Sequence, residues 1–103
     1  MLPTEHDPAE RRLVEECLAG NRGAWGELYQ RLLQRAPYAI YRARQSVKRY
    51  APEEVAGKVW DDLRKNKDKL QAFLQGTKGL DDFLDNLLLS AVRRLALIST
   101  EPY

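Results

Sequence analysis

The stretch Leu80–Ile98, LDDFLDNLLLSAVRRLALI, is the most apolar run in the chain. Its apolar residues recur at helical spacing and form one stripe along about five turns of helix. They are Leu80, Phe83, Leu84, Leu87, Leu88, Ala91, Val92, Leu95 and Ile98. Carboxylates occupy the first turns, at Asp81, Asp82 and Asp85. Arg93 and Arg94 follow in later turns, so the charges complement the helix dipole and exclude a membrane span. The stretch therefore predicts the core helix of a small bundle.

The composition fits one small globular domain. The 103 residues are 44% apolar and 31% charged, which suits a packed core beneath an exposed helical surface. The sequence has no strand-like alternation of apolar and polar residues. We therefore expect an all-α fold, a small bundle of four to five helices over residues 8–98. A disordered N-terminal tail at 1–7 and a C-terminal tail at 99–103 complete the predicted organisation.

Cysteine usage and the N-terminal sequence bear on the cellular compartment. Cys17 is the single cysteine, so the chain cannot form an internal disulfide. Its helical spacing from Leu13 and Val14 favours a core position over a reactive thiol. Residues 1–12 lack the basic-then-apolar order of a secretory signal, and no lipidation motif is found. We expect a cytoplasmic protein that does not associate with membranes.

Helix start and stop signals mark a short first helix. Asp7 is placed as its N-cap, Pro8 occupies its first position, and Glu10 completes a capping box. Gly20 is placed to end it. The predicted apolar face consists of Leu13, Val14, Cys17 and Leu18.

The second helix is longer and contains a proline. Asn21 is placed to cap it, and Pro37 interrupts its apolar pattern, which resumes as far as Val47. The sequence predicts either one kinked helix or two collinear helices. The apolar face before the proline consists of Trp25, Leu28, Tyr29, Leu32, Leu33 and Ala36.

A third helix begins at Ala51-Pro52, with Glu53 and Glu54 in the first turn, where the helix dipole favours carboxylates. Gly57 weakens its middle by about 1 kcal/mol relative to alanine. The inward-facing residues are Val55, Val59, Trp60 and Leu63. The polar run 64–69, RKNKDK, predicts a loop or frayed helix, and one short helical turn follows at Leu70, Phe73 and Leu74.

Positive charge is concentrated in the segment Arg22–Arg49, which holds seven basic residues and one acidic residue. Such a stripe faces a polyanion, an acidic protein surface or water alone, and its charge does not decide among them. Four tyrosines lie in or next to this segment, at Tyr29, Tyr38, Tyr41 and Tyr50. Aromatic and basic residues combine in this way at single-stranded nucleic-acid sites, and tyrosines also lie at core margins.

The residue types of most catalytic sites are missing. His6 is the only histidine, and Gly76 and Gly79 lack the spacing of a phosphate-binding loop. Adjacent carboxylates on a helix point in different directions, so the pairs 53–54, 61–62 and 81–82 do not form acid–base sites. We expect no enzymatic activity, no cofactor and no metal site.

Three passages carry a family resemblance. They are Leu13-Val14 with Gly20-Asn21 and AWGELY at 24–29; APEEVAGKVW at 51–60; and Phe83-Leu84 with the apolar run after it. In order and spacing, over residues 13–98, they resemble the region-two domain of bacterial sigma factors of the extracytoplasmic-function type. The resemblance implies a sigma-factor region-two-like bundle that acts in transcription initiation.

The resemblance also implies partners and site residues. In that family the third-helix segment docks on the clamp helices of the RNA polymerase largest subunit. The later loop and last helix capture unstacked bases of the promoter minus-ten DNA, and an anti-sigma regulator is a further partner. The implied polymerase-binding residues are Glu53, Glu54, Val55, Lys58 and Trp60. The implied DNA-binding residues are Lys65, Lys67, Lys69, Lys78, Arg93 and Arg94.

The chain departs from the family pattern at several positions. Gly57 and Lys58 stand where the family has glutamine and glutamate, and Ser90 stands where it prefers asparagine. Leu97-Ile98 replaces a basic pair. Two alternatives follow: a sigma-like module that binds a regulator or its own copy without reading a promoter, and a generic helical bundle whose likeness is accidental.

Overall fold

The computed structural model describes residues 7–43, 51–76 and 78–99, with the backbone alone at 43 and 96–99. Five helices lie in these ranges: α1 Pro8–Leu18, α2 Arg22–Ala43, α3 Pro52–Lys65, α4 Asp68–Gln75 and α5 Leu80–Ser99. No strand occurs within the same ranges, so the predicted all-α bundle is confirmed. Of the tails predicted at 1–7 and 99–103, residues 1–6 and 100–103 lie outside the described residues, whereas Asp7 caps α1 and Ser99 ends α5.

Helices α2 and α5 form the centre of the bundle. α2 packs on α5, α3 and α1, and α4 packs on α1 and α3. The apolar stripe predicted for α5 is buried at Leu80, Leu84, Leu88, Ala91 and Val92, and half-buried at Phe83, Leu87 and Leu95. The side chain of Ile98 lies outside the described residues. None of the helices in the described ranges is long and apolar enough to cross a membrane.

The N-terminus of α1 is capped as predicted, but the capping box is wrong. The backbone N–H of Ala9 donates to Asp7 Oδ1 at 2.9 Å. Glu10 does not turn back to its own helix; its Oε1 accepts from the backbone N–H of Leu80 at 3.1 Å. A free N–H at the start of α5 competes successfully for this carboxylate, because both helix starts have unsatisfied donors. Glu10 thereby ties α1 to α5.

The turn between α1 and α2 follows the predicted signals. Gly20 adopts φ +89°, a left-handed conformation that favours glycine. Its N–H donates to Cys17 O, and the N–H of Asn21 donates to Glu16 O, each at 3.0 Å, as in a Schellman motif. Asn21 Oδ1 then accepts from the N–H of Ala24 at 3.1 Å and caps α2. α2 runs as one helix through Pro37, so the alternative of two helices is wrong up to Ala43. Its predicted continuation to Val47 lies outside the described residues.

Of the two alternatives predicted for residues 64–69, a loop or a frayed helix, the loop is wrong in most of its length. Arg64 and Lys65 continue α3, while Asp68 and Lys69 begin α4, which leaves Asn66 and Lys67 as the link. Arg64 and Lys65 stay helical because exposed charged side chains destabilise a helix little. An ion pair one turn apart, with Lys65 Nζ 2.9 Å from Asp61 Oδ2, stabilises this end of α3. The inward-facing residues of α3 are as predicted, with Val55, Val59 and Leu63 buried and Trp60 half-buried.

Cys17 lies in the core with no exposed surface. Burial raises the pKa of its thiol from 9.0 to about 12, with smaller contributions from Glu16 and Glu27. The core position predicted from its spacing is confirmed.

Candidate functional site

The first turns of α3 present an acidic surface. Glu53, Glu54 and Lys58 are exposed there, and we call these three residues the docking face. Lys58 Nζ leans toward the helix C-terminus, 3.6 Å from Asp62 Oδ1. The acidic charge at the start of the docking face is therefore left in water.

The docking face differs from the other adjacent acidic pairs in the part of the chain that the structure describes. In the pairs 15–16 and 61–62 every carboxylate lies in an ion pair with an arginine or lysine. In the pair 81–82, Asp81 lies 3.9 Å from Arg35. Neither Glu53 nor Glu54 is within ion-pair distance of a cation in the part of the chain that the structure describes.

Val55 is wrong as a polymerase contact. Its side chain has 0% exposure and lies in the core with Val59 and Leu63. Its position follows from helical periodicity, since residues 55, 59 and 63 line one face and residues 54 and 58 line another. Val55 therefore anchors α3 and leaves surface contacts to its neighbours.

Trp60 is half-buried and fixed on two sides. Its indole Nε1 donates to the carbonyl oxygen of Trp25 at 2.9 Å. Its ring meets Tyr29 edge to face, with centroids 5.6 Å apart. The guanidinium of Arg64 lies over the ring, 4.6 Å from the centroid. Trp60 thus joins α3 to α2 and offers a partner only a limited part of its surface.

Two of the predicted DNA-binding residues meet in a groove between the α1–α2 turn and the end of α3. The groove has a volume of about 470 Å³, and we call it the basic groove. Its lining residues are Gly20, Arg22, Trp25, Asp61, Arg64, Lys65 and Lys67. Arg22 and Arg64 were not among the residues predicted to bind DNA. Arg22 opens the basic segment and Arg64 opens RKNKDK, and the packing of α2 on α3 brings these two segments together.

Charge in the basic groove is partly neutralised. The hydrogen bond between Asp61 and Lys65 lowers the pKa of the carboxyl and raises the pKa of the ammonium. Arg22, Arg64 and Lys67 are exposed and form no ion pair with a described residue. The groove therefore keeps a positive field.

The other predicted DNA-binding residues lie elsewhere. Lys69 and Arg94 meet at the junction of α3, α4 and α5, where Arg94 Nη2 is 3.4 Å from Asp62 Oδ2. Lys78 lies in the α4–α5 link and Arg93 on α5, both exposed and neither in the basic groove. The structure thus divides the six predicted residues among separate positions.

Much of the charge in the segment 22–43 is used internally. Arg35 donates two hydrogen bonds to Asp85, with Nε 2.8 Å from Oδ1, and this bonding raises the arginine pKa. Arg31 Nη1 lies 4.0 Å from Glu10 Oε2. Tyr38 and Tyr41 are 51% and 79% exposed, whereas Tyr29 packs on the core. Arg44, Lys48, Arg49 and Tyr50 lie outside the described residues.

Among the residues that the structure describes, no group of three or more His, Cys, Asp or Glu side chains is placed to hold a metal ion. His6 lies outside the described residues. Comparison of the chain with protein-family models, with curated proteins and with solved structures finds no match.

Proposed function

We propose that this chain is a sigma-factor region-two-like domain that acts in transcription initiation without catalysing a reaction. Its partners are the clamp helices of the RNA polymerase largest subunit and promoter minus-ten DNA. The observation that carries the proposal is the docking face, where Glu53 and Glu54 are exposed and unpaired with any described cation. The resemblance of residues 51–60 to the polymerase-docking segment supplies the identity of the partner.

Electrostatics favours a basic partner for this face. Two neighbouring carboxylates that make no ion pair with a described cation attract a basic surface, which speeds encounter and fixes orientation. The helix behind them is held by the buried Val55, Val59 and Leu63. Because α3 is already ordered, little conformational entropy is lost when a partner binds.

Charge reversal tests this proposal. In a pull-down of core polymerase by the immobilised domain, Glu53→Lys/Glu54→Lys should abolish capture. The matched control is Asp81→Lys/Asp82→Lys, which reverses an adjacent acidic pair in the first turn of α5 at a similar helix-dipole cost. Equal capture by the two variants would overturn the proposal, provided that circular dichroism shows both to be folded.

A second candidate function is a sigma-like interaction module without promoter recognition. It is favoured by the internal pairing of Lys65 with Asp61 and of Arg94 with Asp62. Negligible binding of the wild-type domain to single-stranded promoter DNA at low salt, where phosphate contacts are strongest, would support this candidate. Measurable binding would favour the first.

A further inference from the structure

Three separate segments of the chain contribute cations to the basic groove. Arg22 comes from the start of α2, Arg64 and Lys65 from the end of α3, and Lys67 from the link to α4. The left-handed Gly20 forms the turn that places Arg22 opposite the end of α3. The groove is thus a product of the tertiary fold and not of one charged run.

Its charges are not balanced within the described residues. Asp61 is the single carboxylate in the lining, and it is engaged by Lys65 at 2.9 Å. Arg22, Arg64 and Lys67 remain, and their mutual repulsion is relieved when an anion enters. A ligand with closely spaced negative charges suits such a lining.

One of these cations is held in place before any ligand arrives. The guanidinium of Arg64 lies over the indole ring of Trp60, 4.6 Å from its centroid, and the indole is itself fixed by Trp25 and Tyr29. A guanidinium held over an aromatic ring by a cation–π contact still has N–H groups to donate to oxygen acceptors. Binding an oxyanion then costs less side-chain entropy than binding by a free arginine.

We propose that the basic groove binds backbone phosphates of a single-stranded nucleic acid, with Arg22 and Arg64 as the main phosphate ligands. Phosphodiesters place a charge at every nucleotide and accept paired N–H groups from arginine. The inference rests on the proposed function for its class of ligand. It adds a contact site that is separate from Lys69, Lys78 and the last helix.

The test is fluorescence anisotropy with a labelled single-stranded oligonucleotide of mixed sequence, titrated at several salt concentrations. The groove variant is Arg22→Gln/Arg64→Gln. The matched control is Arg11→Gln/Arg12→Gln, which removes two exposed arginines of α1 and lowers the net charge equally. The groove variant should bind about tenfold more weakly, and its salt slope should fall by about 1.4, since each single-strand phosphate contact contributes about 0.7. The control should change affinity by less than about twofold.

Equal losses of oligonucleotide affinity in the two variants would show a general charge effect and would overturn the proposal. An unchanged affinity of the groove variant would overturn it as well. Tighter binding of polyglutamate than of the oligonucleotide, with the same dependence on Arg22 and Arg64, would assign the groove to an acidic protein instead. Polymerase capture through the docking face is measured separately. If the oligonucleotide experiment overturns the basic groove as a phosphate site, the docking proposal still stands. If the domain fails to capture polymerase but the basic groove still binds the oligonucleotide, only the docking proposal is removed.

Discussion

The indole Nε1 of Trp60 on α3 donates a 2.9 Å hydrogen bond to the carbonyl oxygen of Trp25 on α2. This bond fastens the helix that carries the docking face to a central helix of the bundle. On its ring face, Trp60 supports Arg64 of the basic groove. Trp60 therefore contributes both to the attachment of α3 and to the placement of Arg64.

Removing the indole donor should weaken this connection. Trp60→Phe keeps an aromatic ring but loses the hydrogen bond, so the free energy of unfolding should fall by about 1 kcal/mol. Urea denaturation measures the change. Tyr38→Phe, which alters an exposed aromatic residue, serves as the control. An unchanged urea midpoint for Trp60→Phe would show that the hydrogen bond adds nothing to stability.

The ion pair between Arg35 and Asp85 should make a moderate contribution to stability. Its side chains are 35% and 15% exposed, so solvent screens it more than a buried pair. Asp85→Asn should lower the free energy of unfolding by about 1 kcal/mol, and by less at high salt. Thermal unfolding at two salt concentrations checks this. The exposed Asp82 is the control position, and an equal loss from Asp82→Asn would contradict the assignment.

The buried thiol of Cys17 predicts a dependence of stability on alkaline pH. Its pKa is about 12 in the native state against an ordinary value of 9.0, so above pH 9.0 the unfolded thiol loses a proton that the native thiol keeps. The contribution of the Cys17 thiol to the free energy of unfolding is complete below pH 9.0. It declines as the pH rises above that value, by up to about 1.4 kcal/mol per pH unit. Denaturant titrations between neutral and alkaline pH measure it. Cys17→Ala should lack this part of the slope, and identical slopes would refute the prediction.

Gly57 offers a stabilising substitution on α3. A Cβ added there meets no atom within 4 Å, and the helix favours alanine over glycine. Gly57→Ala should raise the free energy of unfolding by about 0.5–1 kcal/mol. Gly20→Ala is the contrasting control, because φ +89° strains an alanine and should lower stability. A destabilised Gly57→Ala would mean that this position needs glycine for another reason.

Local signals were sufficient to predict most of the fold. The caps at Asp7 and Asn21 and the turn at Gly20 depend on neighbouring backbone groups, and the α5 stripe depends on periodicity alone. The hydrogen-bond partner of Glu10 could not be predicted. Its carboxylate can accept equally well from a free N–H at the start of α1 or from one at the start of α5.

The surfaces were harder to predict than the helices. The family resemblance implied Glu53, Glu54, Val55 and Lys58 alike, and it does not distinguish the three exposed residues from the buried Val55. Arg22 and Arg64 line the same groove because of how three segments of the chain pack, and no spacing in the sequence predicts this placement.

The most direct test of the docking face is calorimetric titration of the domain against the isolated polymerase clamp coiled coil. Wild-type protein should bind with micromolar or tighter affinity, and Glu53→Lys/Glu54→Lys should show no heat of binding. The absence of binding by a folded wild-type sample, or equal affinity in the charge-reversed variant, would contradict the proposal that this face docks on polymerase.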